Sequence, residues 1–127
     1  MTGLSPEEYK AGIAEVLEIC RGWGFSAPEC ALALGCRDPR VTEMTLPALC
    51  RFVQALPHSN NTEYRILVIR EIKAWIGKLL IGKDAERQGQ WMVEVTDHGK
   101  SLKMSILSES RDDLGRVLAF FRKVTAQ

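Results

Sequence analysis

The chain lacks any apolar run approaching the ~18 residues that a bilayer-spanning helix requires. It also lacks an excess of either charge. Seventeen Lys and Arg face 16 Asp and Glu, leaving a formal charge of +1, whereas proteins that wrap phosphate backbones ordinarily carry a basic surplus. No G-x-S-x-G, H-E-x-x-H, Walker loop or G-x-G-x-x-G is present, so the common nucleophile, zinc and nucleotide signatures are missing. Histidine is scarce: His58 and His98 are the only two, in an expected loop and an expected turn, without the buried partner that a general base needs. The first residues, Met1 to Glu8, show neither a basic stretch nor an apolar core, so they do not read as a secretion signal and the chain is expected to be cytoplasmic. Together these absences exclude a membrane span and favour a non-catalytic protein without a cofactor.

What is present is ordinary globular composition. The 127 residues, 14.2 kDa, are 46% hydrophobic and 26% charged, enough for one domain over residues 1–127 with its own core. Charge divides weakly along the chain: residues 1–56 carry five basic and seven acidic groups, and the remainder twelve and nine.

The periodicity predicts four helices, then a β-hairpin and a final helix, an α+β fold that is mainly helical. The helical part spans about 5–81 and the β-β-α part about 90–124. Ser5 with Glu8, and Ser26 with Glu29, are capping boxes, each with a proline in the first turn. The first helix presents Tyr9, Ile13, Val16, Leu17 and Cys20 as one face. The second runs Ala27 to Leu34 and stops at Gly35. The third starts from Thr45 and ends before Pro57. The fourth, from a Thr62 cap to about Ile81, is apolar over much more than one stripe, as expected of a central helix or one shared with a partner chain. Residues 83–90 read as a loop. Trp91, Val93 and Val95, then Leu102, Met104 and Ile106, alternate about the turn Asp97-His98-Gly99-Lys100, a hairpin pattern. The last helix begins near Ser110, with Leu114, Val117, Leu118, Phe121 and Val124 facing inward.

Candidate contact residues follow from this layout. Trp23 and Phe25 are large rings in a loop: either the loop folds them onto the core, the reading slightly ahead, or they are partner anchors. Ile69, Ile72, Ile76 and Leu79 are the expected seam of a homodimer through the fourth helix. The leading expectation is a small regulator working by protein–protein contact, of the adaptor, anti-activator, inhibitor or antitoxin kind. The alternative is a DNA-binding regulator in which residues 26–56 form a helix-turn-helix layout and Arg37, Arg40 and Arg51 meet DNA. The pairs Glu7/Glu8 and Asp112/Asp113 need no chemistry, since both lie at helix amino ends where the dipole favours acids.

Four cysteines, Cys20, Cys30, Cys36 and Cys50, have no C-x₂-C or C-x₄-C spacing, and three fall on expected apolar faces, where free cysteine packs as a small hydrophobe. Cys36, beside Arg37, is the one expected to be exposed and reactive. Elemental analysis of the purified protein should therefore find no stoichiometric zinc, and chelation should leave the fold intact. One zinc per chain would overturn this assignment.

Overall fold

In the computed structural model, which describes residues 3–125, the fold is α+β and dominated by helix. The helices are α1 (Pro6–Gly22), α2 (Ala27–Ala33), α3 (Leu46–Ala55), α4 (Asn60–Leu79), α5 (Ala85–Glu94), α6 (Leu102–Leu107) and α7 (Arg111–Thr125). A 3-10 turn, Pro39–Glu43, joins α2 to α3. A hairpin of two short strands, β1 (Thr96–Asp97) and β2 (Lys100–Ser101), lies between α5 and α6.

Both expected capping boxes form: Ser5 accepts from the Glu8 N–H and Ser26 from the Glu29 N–H, with each glutamate returning to its cap. Gly35 takes φ +82° just past α2, the left-handed stop that glycine adopts without strain. The cap of α4 differs from expectation. Ser59 accepts from the Thr62 N–H at 3.3 Å, and the Thr62 hydroxyl instead donates to the Leu34 carbonyl at 2.8 Å, tying α4 to the end of α2.

The expected hairpin is corrected most. Its turn exists, with His98 at φ 54° and Gly99 at φ 81°, the paired positive values of a tight two-residue connection. Its strands stop after two residues each. Trp91, Met92, Val93 and Glu94 are the end of α5, and Leu102, Met104 and Ile106 lie in α6. The apolar alternation was coincidental. Gln88, Gly89 and Met92 are buried on α5, and Leu102, Ser105 and Ile106 on α6, which is helical spacing, while Val93 and Met104 are exposed. Asp84 and Ser101 supply the two caps, at 2.9 and 3.1 Å from the Arg87 and Met104 N–H groups. Residues 83–90 are accordingly not a loop but lead into α5.

Helix α4 is the axis of the core. Ile66, Ile69, Ile72 and Ile76 are fully buried. Its most extensive partner is α7, which contributes Leu114, Val117 and Phe121. The two run in the same sense, since Arg111 sits over Tyr64 and Arg122 pairs with Glu71 further along both helices. Helix α1 covers another side, approaching closely at Gly12, where an added Cβ would fall 2.7 Å from Ile66 Cγ2. Most of the broad apolar surface on α4 is thus used within one chain, with Leu67 left exposed.

The corner after α1 meets α5 at Gly89. An added Cβ there would lie 1.9 Å from the Trp23 carbonyl oxygen and 2.6 Å from its carbon. Backbone faces backbone, so neither side can swing away. Gly89→Ala should destabilise the fold by about 3 kcal/mol or more, at the upper end of overpacking costs despite alanine's better helix propensity. Urea unfolding measures it, and a variant as stable as wild type would show that the corner can yield.

Candidate interaction surface

The expected contact residues separate into buried and exposed groups. Trp23 and Phe25 are 3% and 6% exposed, so the loop folds its rings into the core. The indole N–H of Trp23 donates to Gln88 Oε1 at 3.2 Å, and Lys73 donates to the same oxygen at 2.9 Å. Lys103 covers the outer face of Phe25, 4.9 Å from the ring centroid. Neither ring is free to meet a partner, which corrects their assignment as anchors. Ile69, Ile72 and Ile76 are likewise fully buried under α7 and α1, so a seam through them would have to displace the chain's own packing. Leu79 is half-buried, at the end of α4.

The three arginines of the helix-turn-helix layout are not brought together as a phosphate-reading set. Arg40 forks onto Asp38, with Nη2 at 2.6 Å, and its guanidinium stacks over Phe52 at 5.1 Å. The Arg40 hydrogen bonds hold the Asp38 carboxyl down at about 2, so the pair stays neutral as a unit at ordinary pH. Arg37 Nη2 donates to the Leu107 carbonyl at 3.0 Å, across to α6. Arg51 lies on the outer face of α3, while Leu49 and Val53 bury the inner one.

The other titratable candidates are also placed by local packing. His58 stacks on Tyr9 at 3.9 Å between centroids, with Nε2 3.3 Å from Glu63, at the edge of an open cleft lined also by Ser5 and Glu8. The Leu4 N–H donates to the same glutamate, and the Glu8 carboxyl is lowered by its Ser5 capping bonds, so both carboxylates serve the chain's own backbone. His98 stands exposed at the hairpin turn, 3.6 Å from Asp97. Cys20 and Cys30 are fully buried, and Cys36, expected at the surface, is buried too, at 9% exposure. It lies over the 3-10 turn beside Val41. The neighbouring Cys30 thiol and burial together push the Cys20 thiol up, which keeps it protonated and inert. Among the described residues no three His, Cys, Asp or Glu side chains are grouped closely enough to hold a metal ion, and no helix is long and apolar enough to cross a membrane.

Apart from the exposed side chains of Leu56, Leu67 and Met104, apolar surface is left over where the carboxyl ends of α4 and α7 meet α5. Trp91, half-buried, packs against the fully buried Phe121 at 5.8 Å and the half-buried Phe120 at 6.4 Å between centroids. A cleft of about 170 Å³ runs from Trp91 to Leu80, rimmed by Lys83, Arg87 and Glu94. A second, of about 270 Å³, runs from Phe120 to Val124, rimmed by Asp97, Arg116 and Lys123. Ile81 follows Leu80 in the turn beyond α4 and is 83% exposed. Large rings are therefore flanked by two clefts with charges at the margins, the arrangement of a contact patch with an apolar centre and a polar rim. Of these residues Trp91 entered the sequence reading as part of the expected hairpin. Ile81 was legible only as an apolar residue next to the stop at Gly82, and Phe120 was hidden beside the core residue Phe121.

The structure also contains a polar element that no sequence pattern announced. Arg65, in the middle of α4, is fully buried. Its guanidinium donates to the carbonyls of Ile106, Ser108 and Glu109 at 3.2, 2.6 and 3.3 Å, and to Asn61 Oδ1 at 3.3 Å. It thereby satisfies carbonyls at the carboxyl end of α6 and in the link to α7. Burial depresses its pKa, with Arg37 and Arg111 adding to the effect.

No protein-family model matches the chain, and neither a curated protein nor a solved structure shows significant similarity to it.

Arg65→Met keeps the length and removes the fork, leaving buried carbonyls without donors. Each such orphan costs ~1–3 kcal/mol, partly offset by no longer burying a charge. A net loss of about 2–3 kcal/mol in urea unfolding is expected, with amide exchange accelerated first in residues 102–110. A methionine variant of wild-type stability would show that the link between α6 and α7 needs no such clamp.

Proposed function

We propose that the protein is a small, non-catalytic regulator that works by protein–protein contact, of the adaptor, anti-activator, inhibitor or antitoxin kind, and that its contact surface is the apolar end formed by Leu80, Ile81, Trp91, Phe120 and Val124. The observation that carries this reading is the combination at one end of the molecule of a highly exposed isoleucine and two half-buried aromatic rings beside charged-rim clefts. Tryptophan and phenylalanine in such a position supply large contact area at little entropic cost, and a central aromatic often dominates binding energy. The homodimer expected from sequence moves with it. Leu79 is the one seam residue at this end, and a second copy would meet the first here rather than along Ile69, Ile72 and Ile76.

The DNA reading draws less from the geometry. Arg40 is neutralised by Asp38 and Arg37 is bound to Leu107, so only Arg51 of the three stands without a partner among the described residues. Few phosphates would then be neutralised and the salt dependence of any DNA binding would be shallow.

The test pairs two measurements on wild type and on Ile81→Asp and Phe120→Asp, both of which change side chains outside the fully buried core. Sedimentation at micromolar concentration reads self-association, and binding to a protein captured by the wild-type chain reads the partner contact. Each aspartate should weaken association by at least about tenfold, ~1.4 kcal/mol, by placing a charge in a desolvated contact. Steep, salt-sensitive binding to duplex DNA that survives both aspartates and collapses in Arg40→Ala/Arg51→Ala would instead make residues 26–56 the functional surface.

A further inference from the structure

Three guanidinium groups converge on the link from α6 to α7. Arg65 lies beneath it, bound to the carbonyls of Ile106, Ser108 and Glu109; Arg37 reaches it from the turn after α2, bound to the Leu107 carbonyl at 3.0 Å; Arg111 begins α7 and stacks over Tyr64 at 4.3 Å. Among the described residues none of the three forms an ion pair. Asp38 is committed to Arg40 at 2.6 Å and Asp113 to Lys100 at 2.8 Å and Arg116 at 3.1 Å, while Glu109 and Asp112 on the segment itself are exposed and pair with none of the three arginines. Carbonyl dipoles satisfy the hydrogen-bonding capacity of Arg65 without cancelling its charge. A buried cation next to two further cations is electrostatically costly unless an anion completes the set.

We propose that Arg37 and Arg111 form the outer wall of an oxyanion site, floored by the charge of Arg65, that takes a phosphate group. The exposed arginines retain free N–H donors, since Arg37 spends one nitrogen on Leu107 and Arg111 lies flat on Tyr64, and guanidinium forks match phosphate oxygens in geometry. Three positive charges suit a dianion better than a single carboxylate. The exposed Glu109 and Asp112 on the same segment repel an extended polyanion, so the ligand is a compact one, inorganic phosphate or a small phosphate monoester, rather than a nucleic-acid backbone. This site is separate from the apolar end and does not depend on the reading given to it.

The experiment is a nuclear magnetic resonance titration of the full chain with sodium phosphate at neutral pH, against sodium chloride at matched ionic strength, following arginine Nε–Hε signals and the amides of residues 106–112. Saturating shifts confined to this segment and to Arg37 are expected with phosphate and not with chloride. Arg111→Gln and, separately, Arg37→Gln should weaken the response by about five- to tenfold, the loss of one charge-assisted contact, while the rest of the spectrum is retained. Methyl phosphate distinguishes the source: tighter binding than inorganic phosphate marks a monoester ligand, and equal binding the free anion. Non-saturating shifts that follow ionic strength alone, or a saturating response unchanged in both glutamine variants, would overturn the proposal.

Discussion

The fold turns on one sealed charge. Arg65 enters the core from the side of α4 and spends its guanidinium on backbone carbonyls of Ile106, Ser108 and Glu109. A six-residue helix such as α6 is too short to stand on its own hydrogen bonds, and its last turn is partly shut off from water, with Ser105 and Ile106 buried. The arginine resolves both problems by holding that end against α4. The link it holds leads directly into α7, which lies alongside α4 in the same direction. A lysine stem of similar reach could not fork over three carbonyls, because a guanidinium presents its donors in a fixed plane.

Once α7 is laid along α4 and α1 covers another side, most of the apolar surface of α4 is consumed, although Leu67 stays exposed. Ile69, Ile72 and Ile76 are fully buried within the chain's own core, where α7 is the most extensive neighbour of α4. Part of what remains uncovered lies beyond the overlap, at the ends of both helices, where Trp91 of α5 covers only some of it. The placement of α5 depends in turn on the absence of a side chain at Gly89, which lets the helix touch the Trp23 carbonyl, and on Gln88, whose side-chain oxygen takes hydrogen bonds from both Trp23 and Lys73. The leftover apolar end is therefore a geometric remainder of packing fixed elsewhere, and its composition, aromatic rings with a charged margin, is what gives it a use.

Features that depend on neighbours in sequence were legible. Ser5 with Glu8, Ser26 with Glu29, Thr45, and the glycines at 35 and 99 all do what their types and spacings imply. Features that depend on distant residues were not. Trp91, Val93 and Val95 alternate like a strand, yet a strand needs a partner of matching length, and the pairing ends at Thr96–Ser101. The apolar positions of α6 are also three and four apart, so the same letters fit a helix whose cap is Ser101. Trp23 follows the last turn of α1, where core and contact surface are both open to it, and only the Gln88 oxygen sixty-five positions away shows how its N–H is satisfied. Arg65 reads as one more cation on a helix, because the carbonyls it serves carry no sequence signature.

The two surfaces proposed for this molecule sit at opposite ends of α7. Arg111 opens the helix and Phe120 and Val124 stand near its close. At ~1.5 Å per residue, the nine residues from Arg111 to Phe120 place them ~14 Å apart along the axis. That exceeds the ~7–10 Å over which substitutions ordinarily couple, so each surface responds to its own residues. The helix between them is nonetheless continuous and is held at both ends, by Asp113 on Lys100 and by Arg122 on Glu71. An anion at the amino end therefore has no packed, two-state element through which to rearrange the apolar end. Its effect is local: it neutralises the charge above Arg65 and stiffens the α6–α7 link. Communication between the surfaces would require α7 to shift along α4 as a body, against the buried contacts of Leu114, Val117 and Phe121, and the close-packed interior opposes such sliding.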